Sequence, residues 1–246
     1  MSLCLILLAA GSSRRFKSNL AKPYHKIAGK TLLEITLKKT TNFSQIKKTI
    51  IVYNKKHLKI LKALKLKNVK LLEGGSSRQK STYNALEFLY KEKKISHVLI
   101  HDVARPNFSK NLLEKIIVNS KKFKAVIPVL KIQDAIKQKF ISSKYEYFVS
   151  KNRKDFFLTQ TPQAFNFKEI FNLHKKNKDK YLDDDLSLLT DLNDVKFING
   201  EKNNFKVTDV SDFQNLNNIF KLKMNVGIGF DVHKLVPKRK LFLAGL

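Results

Sequence analysis

The chain has 246 residues and 43% hydrophobic content, enough for one large domain or for one domain plus a fragment. Its single cysteine, Cys4, excludes a disulfide framework, and its position in an apolar run predicts inert packing. The formal net charge of +29 comes from 43 Lys and only six Arg spread along the chain. Proteins that bind nucleic acids specifically concentrate their positive charge on one face and use the planar guanidinium group of Arg to contact bases. We therefore expect no specific nucleic-acid partner.

The first predicted element is a buried strand over Leu3–Leu8, which leads into the loop Ala9-Ala10-Gly11-Ser12-Ser13-Arg14-Arg15, with Lys22-Pro23 shortly after. Small residues let the backbone approach a ligand, and N–H groups with cations suit a polyphosphate. A signal peptide is excluded because no basic residue precedes the run, and a membrane span needs roughly 20 residues. The motif alone fits a nucleotide site and a plain strand-and-turn equally. We expect a cytoplasmic protein with no membrane contact.

Strand and helix patterns then alternate as far as Val129. Strands separated by single helices predict an α/β fold, a mainly parallel twisted sheet flanked by helices, with ligands beyond the carboxyl ends of the strands. Thr31 and Glu34 form a predicted capping box. The predicted strands are Leu3–Leu8, Thr49–Tyr53, Val69–Leu72, His97–Ile100 and Ala125–Val129, and the predicted helices are Thr31–Thr40, Lys56–Leu66, Ser77–Tyr90 and Ser109–Lys121.

The second half of the chain is less regular. Residues 133–153 are short, polar and partly alternating, which predicts a protruding β-arm, and Pro162 argues for a loop or edge position over Thr159–Gln163. Further helices are predicted over Lys168–Lys176, Asp184–Asp191 and Asp212–Leu222, the last with Ser211 as its N-cap, and strand-like stretches over Val195–Ile198 and Phe205–Thr208.

Arginine is scarce enough to be informative. Where lysine fills most basic positions, a remaining arginine marks a place that needs a planar fork, unless it persists by chance at a surface ion pair. Five of the six lie in segments that look functional for other reasons: Arg14, Arg15, Arg78, Arg105 and Arg153, but not Arg239.

Several other residues suit phosphoryl chemistry, which needs cations on the oxygens that gain charge. Gly74-Gly75 with Arg78 and Ser81 suits a base or ribose, or is only a strand-to-helix turn. Asp102 and Arg105 follow a strand and suit a hydroxyl, a hydrated Mg²⁺ or a phosphate, or form a local ion pair. The run Asp183-Asp184-Asp185 is best explained as a helix N-terminus.

These motifs together resemble 2-C-methyl-D-erythritol 4-phosphate cytidylyltransferases, over about residues 1–223. The segments that match are Leu8–Arg15, Ala21-Lys22-Pro23, Gly74–Ser81, His101–Pro106, Thr161-Pro162-Gln163 and Lys206-Val207-Thr208. The resemblance implies transfer of a cytidylyl group from CTP to the sugar-alcohol phosphate, with Mg²⁺, by a homodimer joined through the β-arm.

The resemblance also implies roles for individual residues. Arg15, Lys22 and Lys206 would stabilise the pentavalent phosphorus. CTP would be bound by Ala9, Ala10, Gly11, Gly75, Ser81 and Val103, and the sugar phosphate by Asp102, Arg105, Lys206 and a partner subunit's Arg153. Ser76 and Ala135 depart from the family's usual acidic residue and threonine, which leaves the choice of polyol phosphate open.

Residues 224–246 contain Gly229-Phe230-Asp231-Val232-His233, which resembles the start of 2-C-methyl-D-erythritol 2,4-cyclodiphosphate synthases. Alternation on a strand would point Asp231 and His233 to one face, as chelation requires. The resemblance makes them two ligands of a divalent metal, usually Zn²⁺, in a second domain. Because the third ligand is missing, we expect this truncated part to be inactive.

Two alternatives remain at this point. One is a cytidylyltransferase for another polyol phosphate, such as ribitol 5-phosphate, against which the cyclase-like tail argues. The other, from a different class, is a basic nucleic-acid-binding protein, whose duplex binding would persist at high salt.

Overall fold

The computed structural model describes residues 2–11, 16, 18, 20–92, 94–142, 145–177 and 184–221. Its strands are Leu3–Ala9 (β1), Lys26–Ile27 (β2), Lys30–Thr31 (β3), Ile46–Tyr53 (β4), Lys70–Glu73 (β5), His97–Asp102 (β6), Ala125–Lys131 (β7), Ile136–Ile141 (β8), Glu146–Lys151 (β9), Phe157–Thr159 (β10), Gln163–Asn166 (β11) and Val195–Asn199 (β12). Its helices are Leu32–Thr40 (α1), Leu58–Ala63 (α2), Arg78–Glu92 (α3), Lys110–Asn119 (α4), Phe167–Lys176 (α5) and Val210–Lys221 (α6).

Eight strands form one mixed, mostly parallel sheet. Its order is β10-β7-β11-β6-β1-β4-β5, and β12 pairs with β7. The pairs β1–β4, β1–β6, β4–β5 and β7–β12 are parallel, whereas β11 and β10 run antiparallel to their neighbours. The sheet therefore confirms the predicted fold class, and it brings the carboxyl ends of β1, β4 and β6 to the same edge.

Both faces of the sheet are covered, as β1 shows. Leu3, Leu5 and Leu7 belong to one buried cluster with residues of α1, α4 and α6, whereas Cys4 and Ile6 belong to another with residues of α3 and α5. Period-two alternation along the strand sends successive side chains to opposite layers. Cys4 is fully buried and burial raises the pKa of its thiol, so it packs as the sequence predicted.

The capping box at the start of α1 is confirmed. Glu34 N donates to Thr31 Oγ1 at 3.2 Å, and Thr31 N donates to Glu34 Oε2 at 2.8 Å. We expect Thr31→Ala to lower the free energy of unfolding by about 1 kcal/mol, because one N-terminal N–H loses its acceptor. Urea unfolding of Thr31→Ala and Thr31→Ser tests this, since serine keeps the hydroxyl. Equal losses in the two variants would contradict the capping role.

Three local predictions were wrong. Asp184–Asp191 contains only a 3₁₀ turn over Leu186–Leu188. Phe205–Thr208 is not a strand. Ser211 does not cap α6, because the acceptor for Asp212 N is Asp209 Oδ1, at 3.0 Å. The loop or edge position predicted over Thr159–Gln163 is confirmed for Pro162, which lies in a loop, and for Thr159, which ends the edge strand β10, whereas Gln163 opens a buried strand that pairs with β6 and β7.

The segment predicted as a β-arm contains an antiparallel hairpin. Strands β8 and β9 pair with each other from Ile136↔Lys151 to Ile141↔Glu146, and they form a sheet separate from the main one. Every residue of β9 is exposed. Within the described part of the chain, no helix is both long enough and apolar enough to cross a membrane.

Candidate functional site

The site begins where β1 and β6 end side by side. Leu8 pairs with Asp102 in the parallel register, and Val103 N donates to Leu8 O at 3.2 Å. This bond fastens the turn after β6 to β1, and it uses the N–H of Val103. The small residues Ala9, Ala10 and Gly11 therefore lie beside Asp102, as the sequence predicted.

A second turn closes against the first. Gly74 N donates to Tyr53 O at 2.8 Å, and a Cβ built on Gly74 would lie 2.5 Å from Ala10 Cβ and 2.9 Å from Ser81 Oγ. Only glycine fits such an approach. Gly75 N donates to Ser81 Oγ at 3.0 Å. The structure thus brings together Ala10, Gly75 and Ser81, three of the residues assigned to CTP.

Asp102 is the charged centre of the site. Arg78 Nε donates to its Oδ1 at 3.2 Å, and Lys206 Nζ lies 2.7 Å from its Oδ2. Burial favours the neutral acid, but the charges of Arg78 and Lys206 outweigh it and hold the pKa of Asp102 well below its usual range. The carboxylate is therefore ionised, and each of its oxygens has a cationic partner.

Arg105 is not the ion-pair partner of Asp102 that local spacing suggested. Its Nη1 donates to Asn204 O at 2.9 Å and its Nη2 to Thr159 O at 3.3 Å. A guanidinium that bridges two carbonyls ties the turn after β6 to the segment that contains Lys206. Arg105 therefore stabilises the backbone around the site.

Lys206 lies on irregular backbone that is held from several sides. Val207 N donates to Ala104 O at 2.8 Å, and Asn204 Nδ2 donates to Thr161 O at 2.9 Å. Asn204 and Val207 are fully buried, whereas the Lys206 side chain is 42% exposed. Buried anchors on both sides thus fix an ammonium that still faces solvent.

Lys22 reaches the same segment from the first loop. Its Nζ donates to Val207 O at 3.0 Å and lies 3.4 Å from Thr208 O. These carbonyls belong to the two residues that follow Lys206. The structure therefore brings the Lys22 side chain to the segment that contains Lys206.

Asp102 is also supported from beneath. Its N–H donates to Thr161 Oγ1 at 3.1 Å, and Thr161 Oγ1 lies 3.0 Å from His101 Nδ1. Burial lowers the pKa of His101 to about 3, so the ring is neutral, and it shares one hydrogen bond with the Thr161 hydroxyl through Nδ1. This arrangement fixes the backbone from which the Asp102 carboxylate projects.

The sequence missed two residues of the site, Asp185 and His174. Asp185 Oδ2 lies 2.8 Å from Arg78 Nη1, and its Oδ1 lies 3.0 Å from His174 Nε2. Asp185 belongs to the acidic run that was predicted to be a helix N-terminus. His174 shares the buried face of α5 with Phe167, Ile170 and Phe171, and that helical spacing was the available signal.

Some predicted site residues are not tested by this geometry. Arg14, Arg15, Asp183, Asp231 and His233 lie outside the described residues. Arg153 is exposed at the base of the β8–β9 hairpin, where its Nη1 donates to Gln133 O.

Comparison with known proteins shows the family of the chain. The model of the family described as IspD, 2-C-methyl-D-erythritol 4-phosphate cytidylyltransferase, matches residues 3–221. The chain belongs to the IspD family. That range includes all the described residues that meet around Asp102. Neither ribitol 5-phosphate transfer nor nucleic-acid binding is favoured by this match.

Individual relatives and solved structures are similar to this chain as well. The chain is 43% identical, over its whole length, to the bifunctional enzyme IspD/IspF of Pelagibacter ubique, and it spans 64% of that protein. It is 33% identical to the 2-C-methyl-D-erythritol 4-phosphate cytidylyltransferase of Thermosipho africanus, over 84% of this chain and 93% of the relative. The crystal structure of 4-diphosphocytidyl-2C-methyl-D-erythritol synthase from Anaerococcus prevotii superposes with a TM-score of 0.76 at 31% identity, covering 89% of this chain and 96% of that one.

Proposed function

We propose that this chain transfers a cytidylyl group from CTP to 2-C-methyl-D-erythritol 4-phosphate, giving 4-diphosphocytidyl-2-C-methyl-D-erythritol and pyrophosphate. The observation that carries the proposal is the contact of Asp102 with Lys206 and Arg78, beside the small-residue loop after β1. In an IspD-family chain, this arrangement would hold a triphosphate next to a hydroxylated phosphate ester.

CTP would occupy the edge formed by Ala9, Ala10, Gly11 and the Gly74–Ser81 turn. The close approach of Gly74 to Ala10 brings backbone from two loops together, which suits a base and a polyphosphate. The N–H groups of Gly75 and Val103 already have protein acceptors. The Ser81 hydroxyl likewise accepts from Gly75 N and donates to Ser77 O at 2.8 Å. These three groups would therefore shape the edge, and CTP would meet the carbonyl of Val103.

The sugar phosphate would bind across Asp102, Lys206, Arg105 and the partner subunit's Arg153. The Asp102 carboxylate accepts hydrogen bonds from hydroxyls, and the cations suit the phosphate. The phosphate oxygen needs no strong base, since a phosphate monoester is largely ionised at neutral pH, with a second pKa of about 6. Its attack on the α-phosphorus forms the new P–O bond, and the bond to pyrophosphate breaks.

Lys22 and Lys206 supply charge where the transition state gains it. Before substrate arrives, the Lys22 ammonium is held by Val207 O and the Lys206 ammonium by Asp102 Oδ2, so both charges already lie at this edge of the sheet. Arg15 would add a third cation. Lys22 exchanges its bonds to Val207 O and Thr208 O for phosphate oxygens when CTP binds.

Mg²⁺ would enter with CTP rather than bind to a cage of protein ligands. No cluster of three or more His, Cys, Asp or Glu suited to a metal occurs among the described residues, and both Asp102 oxygens face cations. These side chains do not fit a resident metal site, whereas triphosphate oxygens suit a hard cation. When bound, the ion would neutralise charge on the triphosphate.

We propose that two copies of the chain associate through the 133–153 arm, with each Arg153 reaching the partner's site. An isolated two-stranded hairpin is marginally stable in water, and a large exposed apolar surface marks an interaction site. The arm and the strand after it expose an unusual number of large apolar side chains: Ile141, Tyr145, Tyr147, Phe148, Val149, Phe156, Phe157 and Leu158.

The domain assignment and location are also proposals. Residues 1–223 would form the cytidylyltransferase domain, and residues 224–246 the first part of a cyclodiphosphate synthase domain. Support comes from the alignment with the bifunctional Pelagibacter enzyme, which extends over the whole chain, whereas the IspD match ends at residue 221. Asp231 and His233 would be two Zn²⁺ ligands of that second domain. We place the protein in the cytoplasm, where its nucleotide substrate is available.

Pyrophosphate release tests the proposed reaction. We expect the purified chain with Mg²⁺ to release pyrophosphate only when CTP and 2-C-methyl-D-erythritol 4-phosphate are both present, and to prefer CTP over ATP. Ribitol 5-phosphate serves as the competing acceptor, since its carbon skeleton is linear. A higher kcat/KM with ribitol 5-phosphate, or no release with either acceptor, would contradict the assignment.

A further inference from the structure

Arg78 joins two buried carboxylates in different parts of the fold. Its Nε donates to Asp102 Oδ1 at 3.2 Å, and its Nη1 lies 2.8 Å from Asp185 Oδ2. The side chain of Asp102 is 11% exposed and that of Asp185 only 1%. Because the guanidinium is planar and rigid, fixing one end of it sets the direction of the donors at the other end.

Asp185 is itself fixed from the opposite side. His174 Nε2 on α5 lies 3.0 Å from Asp185 Oδ1, and both side chains are 1% exposed. Burial favours the neutral acid, but the Arg78 charge and the His174 hydrogen bond outweigh it, so the pKa of Asp185 lies below its usual range. The carboxylate therefore holds Arg78 with one oxygen while a buried ring holds the other.

The orientation of Arg78 leaves a different cationic partner for each carboxylate oxygen of Asp102. Arg78 presents only Nε to Asp102, which leaves Oδ2 for Lys206 at 2.7 Å. Arg78 Nη2 is buried and has no hydrogen-bond partner among the described residues. A guanidinium released from Asp185 has spare donors with which to take both oxygens of Asp102 as a bidentate pair. Lys206 would then lose its partner.

We propose that Asp185 is a positioning residue that acts through Arg78 and Asp102 to hold Lys206 in place for catalysis, with His174 as its anchor. The inference rests on the proposed function for its kinetic consequence, but the geometry is independent of any substrate. Asp185 touches none of the reacting atoms, so its effect has to pass through Lys206.

A double-mutant cycle separates this role from a structural one. We expect Asp185→Asn to lower kcat about tenfold in the wild-type background, with KM for CTP within about twofold. In a Lys206→Met background the same change is expected to lower kcat less than about twofold, because the group it positions is gone. Equal losses in both backgrounds would overturn the proposal. Asp194→Asn breaks the exposed pair with Lys124 and serves as the matched control.

His174 provides a second route if Asp185→Asn folds poorly. Gln keeps a donor for Asp185, whereas Phe keeps the ring and removes the donor. We expect His174→Phe to lower kcat and His174→Gln to restore most of it at similar thermal stability. Equal kcat in the two variants would count against the relay.

A crystal structure of Asp185→Asn tests the geometry without any activity. The expected result is that Arg78 binds both Asp102 oxygens. The distance between Lys206 Nζ and Asp102 Oδ2 is then expected to exceed about 4 Å, which is beyond ion-pair distance. An unchanged separation would refute the inference even if the enzyme is active. Conversely, a wild-type enzyme that releases no pyrophosphate would refute the proposed function alone.

Discussion

Lys206→Met is expected to lower kcat about 100-fold, because it removes one preorganised cation from a transition state that gains negative charge. The ammonium faces solvent while it contacts Asp102 Oδ2 at 2.7 Å, so it is available to a phosphate at the carboxyl end of β6. Methionine keeps most of the apolar stem of the side chain and removes the ammonium group. We expect the loss in kcat to exceed any rise in KM for CTP, since the charge matters most as the P–O bonds change.

The control for this substitution is on the same segment. Lys202 is an exposed lysine four residues earlier, and Lys202→Met should leave kcat within about twofold of wild type if general surface charge is unimportant. Stopped-time pyrophosphate assays and thermal unfolding of both variants supply the comparison. Folding should be little affected, because an ion pair with a half-exposed partner contributes about 1 kcal/mol or less. A kcat for Lys206→Met within threefold of wild type would remove Lys206 from the mechanism.

The sequence predicted the parts of this site that depend on local pattern. The apolar run of β1 and the small residues after it identify the carboxyl edge, and the parallel alternation places Asp102 at that edge. The scarcity of arginine also proved informative. Arg78 bridges two carboxylates and Arg105 bridges two carbonyls. Both contacts need the several fixed donors of a planar guanidinium group, which lysine does not have.

What the sequence did not predict depends on contacts between distant segments. Asp185 looked like an ordinary acidic residue before a helix, and only the packing of α5 against α3 brings it to Arg78 and His174. The Phe205–Thr208 segment was predicted to be a strand. It is held instead by hydrogen bonds to residues that are distant in the sequence, such as those between Asn204 and both Arg105 and Thr161. The local pattern of apolar and polar residues does not predict such contacts.

If each site receives Arg153 from the partner subunit, two inactive variants should restore activity to each other in a heterodimer. We expect Lys22→Ala and Arg153→Ala each to lose more than about tenfold in turnover as homodimers. Denatured together and refolded as an equal mixture, they should recover activity. In a heterodimer one site carries both substitutions and the other carries neither, so random pairing in a two-fold dimer gives about a quarter of wild-type activity.

A second mixture provides the control for this recovery. Lys22 and Asp102 reach the site from the same chain, since Lys22 binds the segment around Val207 that also positions Lys206 against Asp102. Lys22→Ala mixed with Asp102→Asn leaves one substitution in each site of the heterodimer and should recover nothing. If the Arg153→Ala mixture also stays at the average of its two homodimers while size-exclusion chromatography shows dimers, Arg153 acts within its own chain. The exposed apolar face of the arm would then need a different explanation.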